Sequence, residues 1–155
     1  FAASYLLLDI SGGCRMSLLN SLFSLPEDDD GDINDEINIS EAINAHIGWK
    51  VRLQKYIDGE SGEKLDPMLV CRDDQCTLGE WIHGPATQRF HAIEAFHTLR
   101  SSHAQFHYVA ANVVKHVQEG DQAGAQALLQ GEYSTVSHHV MMQLLQLNKP
   151  GTEQK

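Results

Sequence analysis

The chain holds little of what marks several large classes of protein. Three cysteines in 155 residues are too few, and odd in number, for a disulfide framework; they point to a reducing, cytoplasmic setting. Basic residues are scarce as well. Eleven Lys and Arg against 21 Asp and Glu leave a net charge of −10, which speaks against nucleic acid or an anionic membrane surface as partner. No apolar run approaches the roughly 18 residues that a membrane span requires. Strand-like alternation persists nowhere. What remains is an ordinary globular composition, 42% hydrophobic and 21% charged, at a length that suits one domain with a real core.

The first 37 residues read as an extension. The chain opens FAASYLLLDISGGCR with no methionine, so residues 1–15 are set aside as processed or non-native, with Met16 a natural start. The apolar stretch lacks the basic segment of a signal peptide, and Ser-Gly-Gly-Cys around Cys14 makes a poor lipobox. MSLLNSLFSL, residues 16–25, has the length of one or two helical turns. PEDDDGDINDE, residues 26–36, carries seven acidic residues in eleven. Placing Gly31 at the sixth position of a calcium loop puts Pro26 first and Ile37 twelfth, so both liganding ends are lost. A solvated acidic linker is the better reading. The expected division is therefore 1–37 extension and linker, 38–148 domain, 149–155 tail.

Beyond the linker the pattern is helical. Ile39, Ile43, His46, Lys50, Leu53 and Ile57 fall near one stripe of a helix with Ser40 as N-cap and Asp58-Gly59 as its end. Residues 59–74 look irregular. DDQCTLGEWI reads as a short helix opened by Asp73 or Asp74 and closed by Gly84-Pro85. One long helix is expected from about 87 to 118, then one or two more from an Asp121 cap to about Asn148, with Gly131 as a kink. The class is all-α, an antiparallel bundle of three or four main helices, with the short cysteine-bearing helix between the first two long ones.

Nine histidines stand out in so acidic a chain. Phe96, Leu99, Phe106, Ala110, Val113, Val114 and Val117 share one face of the long helix, and His103 and His107 lie at its edge, four residues apart. That spacing lets two imidazoles offer one nitrogen each to a common ion. His97 should face solvent, His91 and His116 fall on the opposite edge, and the adjacent His138 and His139 face different ways. An HxxxH pair alone equally describes two histidines at a helix seam. Adding His46, on the apolar side of the first helix, and Cys76 gives one thiolate and three imidazoles, a tetrahedral set suited to Zn²⁺.

HIGW at 46–49, CTLGEW at 76–81 and HAQFH at 103–107 match, in order, the pattern His-x-x-aromatic, Cys-x-apolar-Gly-x-apolar, His-x-x-x-His. In this the chain resembles the chemoreceptor zinc-binding domain family. The resemblance extends over about 38–148, including EYSTVSHHVMMQLLQLN as a last helix. It implies an antiparallel helical bundle holding Zn²⁺ through His46, Cys76, His103 and His107. Gly79 would allow a tight turn, Leu78 and Trp81 would pin the cysteine element, and Trp49 would pack near the site. It further implies a cytoplasmic regulatory domain of bacterial signalling, of the chemotaxis or cyclic di-GMP type. Such domains are often homodimers and act on a signalling partner, here in trans, because the chain shows neither a methyl-accepting coiled coil nor a cyclase motif.

Other chemistries fit less well. The family includes oxidant responders, so a zinc-bound Cys76 that is itself oxidised is the alternative, with Cys71 as resolving thiol or, better, a structural residue. A catalytic zinc keeps a position for water and a base nearby; four protein ligands close the site, and Glu80 or Glu94 as base has no motif around it. Glu80-x-x-His83 and Glu94-x-x-His97 echo the di-iron carboxylate pattern, yet inward glutamates on two other helices are missing. The expectation is a sensor, not an enzyme.

Overall fold

Asn38 starts the first helix because its side chain accepts the Glu41 amide, at 3.0 Å, that the helix itself leaves unpaired. This computed structural model describes residues 37–148, and helix α1 spans Ile39–Ile57. The cap thus lies two residues before Ser40, which sits within the first turn. Ile39, Ala42, His46, Leu53 and Ile57 face inward, a stripe spaced by three, four and seven as a helix period near 3.6 demands. Lys50 falls outside it, exposed, and donates to Ser134 Oγ at 2.8 Å. After Asp58 the chain leaves through Gly59 at φ 73°, a left-handed conformation that glycine adopts without penalty.

The stretch read as irregular contains a further short helix. Helix α2, Pro67–Val70, opens on Asp66, whose carboxylate accepts the Met68 amide, with Pro67 in the first turn. Helix α3 spans Thr77–His83. Its N-cap is neither Asp73 nor Asp74 but Cys76, whose Sγ accepts the Gly79 amide at 3.3 Å. The two aspartates are engaged elsewhere, Asp74 with Arg72 and Asp73 with His83.

The single long helix expected over 87–118 is two. Pro85 starts helix α4, Pro85–Phe90, rather than only ending α3; proline's fixed φ suits a first turn. The chain breaks at 91–93, where Ile93 is extended, and α5 runs Glu94–Gln118. The break lets both Phe90 and Phe96 pack on Trp81, with ring centroids 5.8 and 6.4 Å away. The freed His91 carbonyl takes a hydrogen bond from His97 Nε2 at 2.7 Å.

Asp121 caps α6, Gln122–Leu128, as expected. A π-helical turn, Leu129–Tyr133, follows, and α7 runs Ser134–Leu147. Gly131 lies inside that turn, so the anticipated kink is a change of helical period. Carbonyls loosened there accept hydroxyls: Ser134 Oγ donates to Leu129 O at 2.9 Å and Thr135 Oγ1 to Gly131 O at 3.2 Å. No strand occurs among the described residues, and the all-α class holds. The α6–α7 run lies antiparallel to α1: Gln54 and Gln126 exchange amide hydrogen bonds at 2.8 and 2.9 Å, Lys50 meets Ser134, and Tyr133 OH donates to the His46 carbonyl. Leu53, Leu99, Phe106, Val113, Leu129, Tyr133 and Leu144 fill the space between. The extension, acidic linker and tail lie outside the described residues.

Two glycines inside helices should respond oppositely to alanine. Gly48 has open space around an added Cβ, so Gly48→Ala should stabilise by about 0.5–1 kcal/mol through helix propensity. At Gly79 a Cβ would come within 1.8 Å of the Asp73 carbonyl oxygen, so Gly79→Ala should destabilise by about 1–3 kcal/mol. Urea denaturation of the two variants checks the pair; equal effects would contradict the close approach at Gly79.

Candidate metal centre

Three elements converge on the Cys76 sulfur. The cap position of α3 turns Sγ inward, and the Asp73–Gln75 turn folds back over that helix because Gly79 presents no Cβ to the Asp73 carbonyl. One turn of α5 stacks His103 and His107 opposite, with ring centroids 4.7 Å apart. Their Nε2 atoms lie 3.3 and 3.6 Å from Sγ. One ligand atom from each of Cys76, His103 and His107 lies within 4.8 Å of the other two.

These separations fit an ion. With Zn–S near 2.3 Å and Zn–N near 2.0–2.1 Å, the sulfur–nitrogen edge of a tetrahedron is about 3.6 Å. The histidines are also set in the right tautomer. A carbonyl oxygen can only accept, so His107 donates from Nδ1 to Val70 O at 2.8 Å and leaves Nε2 bare toward the sulfur. An outer hydrogen bond of this kind orients a ligating imidazole.

His46 stands beside this trio rather than within it. Its Nδ1 donates to Ala42 O at 2.7 Å, one turn back along α1, and its ring lies 5.8 Å from that of His103 and 4.5 Å from that of Phe106. Its Nε2 is buried with no hydrogen-bond partner, as is His103 Nδ1. An unpaired buried nitrogen costs about 1–3 kcal/mol, and a lone pair that a cation would accept relieves that cost at His46. The donor set and its orphaned nitrogen therefore suit a borderline-soft metal ion. Zinc would supply there a charge that binds the thiolate and three neutral imidazoles together.

Burial sets the protonation states. It pushes all three histidines below the ordinary 6.5, His103 to about 3. For His103 the neighbouring His107 adds repulsion; for His46 and His107 the backbone hydrogen bond pulls the other way. Burial likewise raises the Cys76 thiol, opposed by the Gly79 amide. Without a cation the pocket thus prefers neutral imidazoles and a protonated sulfur.

The remaining candidates are separated from the site. His97, His138 and His139 are exposed. His83 pairs with Asp73 and His116 with Asp121, each at 2.9 Å. Glu80 and Glu94 are exposed, so the Glu-x-x-His pairs present no inward carboxylate. The thiol of Cys71 is free and donates to Met68 O at 3.2 Å. Trp49 is half-buried and lines a cavity beside the site, while Leu78 and Trp81 are buried as expected. Sequence reasoning missed the Val70 carbonyl, brought in from 37 residues away, and nothing local signals it. The Ala42 carbonyl was legible as the residue four before His46 on a helix.

A helical fold with a buried cysteine–histidine cluster defines a metal-binding domain. The family model of the chemoreceptor zinc-binding domain matches residues 46–114; over this segment, which contains all four residues, the chain belongs to that zinc-binding family. It is a family of regulatory domains rather than of enzymes. No curated protein and no solved structure matches the chain. Among the described residues no helix is long and apolar enough to cross a membrane.

The buried histidines make the fold acid-sensitive. Below about 6.5 the unfolded chain takes up protons that the folded chain refuses, so stability is full above that value and is lost as pH falls toward about 3. For His103 alone the loss is about 2 kcal/mol at pH 5. Thermal melts with a chelator present should show Tm falling between pH 7.5 and 5; a flat profile would mean that the imidazoles protonate in place.

Proposed function

We propose that residues 38–148 form a regulatory domain whose input is one Zn²⁺ held by Cys76 Sγ and the Nε2 atoms of His46, His103 and His107. The observation that carries this is the pair of sulfur–nitrogen separations at tetrahedral-edge length, 3.3 and 3.6 Å, inside the segment matched by the zinc-binding family. Four protein donors leave no position for an attacking water, and no carboxylate base faces the cluster, which favours sensing over catalysis. The output is bacterial signalling of the chemotaxis or cyclic di-GMP type, delivered in the cytoplasm as a homodimer to a partner in trans. Neither nucleic acid nor membrane takes part.

Zinc joins α1, α3 and α5 through side chains that otherwise bury polar atoms at a cost. Loading stabilises the bundle by RT ln(1 + [Zn]/Kd), about 4 kcal/mol at a thousandfold excess over Kd. It becomes a signal only to the extent that zinc binds one arrangement of these helices better than another. Because the cysteine must lose its proton and the imidazoles must stay neutral, affinity falls as pH drops.

A second reading has an observation of its own. Cys76 lines the cavity that also reaches His46 and His107, so a small peroxide has a route to the sulfur. Sulfenylation would break the peroxide O–O bond, carry one oxygen to sulfur and release water or alcohol. Burial disfavours the free thiolate, so in this reading zinc holds the sulfur in its reactive form.

Cys76→Ala should lower zinc content from one per chain toward none and remove the zinc-dependent rise in Tm. Unchanged metal content by elemental analysis would take Cys76 out of the site. Competition with a calibrated chelator then separates the readings: a Kd near free cellular zinc supports zinc sensing, whereas a far tighter Kd with zinc release by peroxide supports oxidant sensing.

A further inference from the structure

A cavity of about 380 Å³ opens between α1 and the N-terminal end of α3. Its inner end is the metal centre, with His46, Cys76 and His107 among its lining; His103, fully buried, lies behind them. His46 occupies the one wall that belongs to α1. It is 4% exposed, its Nε2 has no hydrogen-bond partner, and it is the histidine left out of the tight Cys76–His103–His107 group. The centre is therefore three donors fixed by α3 and α5 plus a fourth from another helix, at the border of a space that solvent can enter.

Resting on the zinc reading, we propose that this cavity is a binding site for a small uncharged molecule carrying a nitrogen or sulfur donor, which reaches the metal centre by taking the place of His46. Size, polarity and charge each narrow the ligand class. The volume stands at the lower end of small-molecule pockets, about 300–1,000 Å³. Ile37, Ala42, Trp49, Leu78 and Phe106 give the space apolar walls, and the Asn38 and Gln75 side chains supply polar contacts. No basic residue lines it and Glu41 does, so an anion finds no partner there, while a cation is repelled by the metal it would approach. A neutral, azole-sized donor meets every condition, and such nitrogen and sulfur donors suit a borderline-soft ion. The exchange is balanced without redox chemistry or proton transfer: the His46 lone pair leaves as the incoming lone pair binds. Displaced, His46 frees α1 from the metal, so the ligand loosens the one long helix that the centre ties to α3 and α5.

The test uses the full chain loaded with Co²⁺ in place of zinc and imidazole as the probe. Its d–d absorption reports the donor set, and gel filtration with elemental analysis reports metal content. We expect a saturable spectral change at one imidazole per chain with one cobalt retained. In His46→Ala, with the internal competitor gone, saturation should come at about tenfold lower imidazole. Ala45→Trp, which fills the cavity from an exposed position of α1, should keep one cobalt and the native spectrum but lose the imidazole response. One cobalt per chain with a spectrum that imidazole does not move overturns the proposal and leaves the zinc reading intact. An undiminished response in Ala45→Trp overturns it too, because the probe would then arrive by another route. A chain that takes up neither cobalt nor zinc overturns the zinc reading, and this inference falls with it.

Discussion

A buried imidazole has two nitrogens to satisfy, and the centre of this protein depends on how that requirement is divided. His107 gives its proton to Val70 O and His46 gives its own to Ala42 O. Each carbonyl thereby fixes which nitrogen is bare and where it points. For His46 the carbonyl comes from its own helix, so the ring orientation is local to α1. For His107 it comes from the end of α2, so α2 must dock on α5 before that tautomer is favoured. The short α2, four residues long, earns its place by supplying one acceptor. Gln118 reinforces the same docking through Leu65 O at 2.7 Å.

The cysteine is held by a different economy of backbone groups. At a helix start, the first amides lack acceptors within the helix. Cys76 Sγ meets one of them, the Gly79 amide, and in doing so is aimed at the imidazoles rather than at solvent. Gly79 serves twice here, because the Asp73 carbonyl also lies against its Cα where a side chain would stand. The turn that carries Cys76 is thus packed on the helix that Cys76 caps, and Trp81, Phe90 and Phe96 hold the far side of that helix.

What was legible in the sequence follows from which interactions are local. The stripe of α5 was readable because period 3.6 sorts its residues by face, and it put His103 and His107 together correctly. Asp121 as a cap and Gly59 as a terminator were readable for the same reason. Pro85 was misread, since proline both ends one helix and begins the next, and only the packing of Phe90 and Phe96 on Trp81 decides between them. Cys76 as its own helix cap was missed because the acidic residues before it are commoner caps; those aspartates instead pair with Arg72 and His83. The convergence of three helices on one sulfur followed from the ordered motifs, while the Val70 carbonyl and the cavity beside His46 exist only once the chain is folded.

The π turn at Leu129–Tyr133 acts as a phase shift written into one helix. Widening the turn by one residue rotates everything after it by about 100° relative to an uninterrupted α-helix. Ala125 and Leu129 before the turn and Val136, Val140 and Leu144 after it are all buried, so the two halves meet the same core only because of that offset. Among the described helices this is therefore the place where length and register are coupled most tightly. Removing a single residue there would leave the helix free to become regular, yet would swing the Val136–Leu144 face away from α5 and carry Tyr133 off the His46 carbonyl. Lineages that gain or lose a residue in this segment would have to redraw the apolar pattern of the whole last helix.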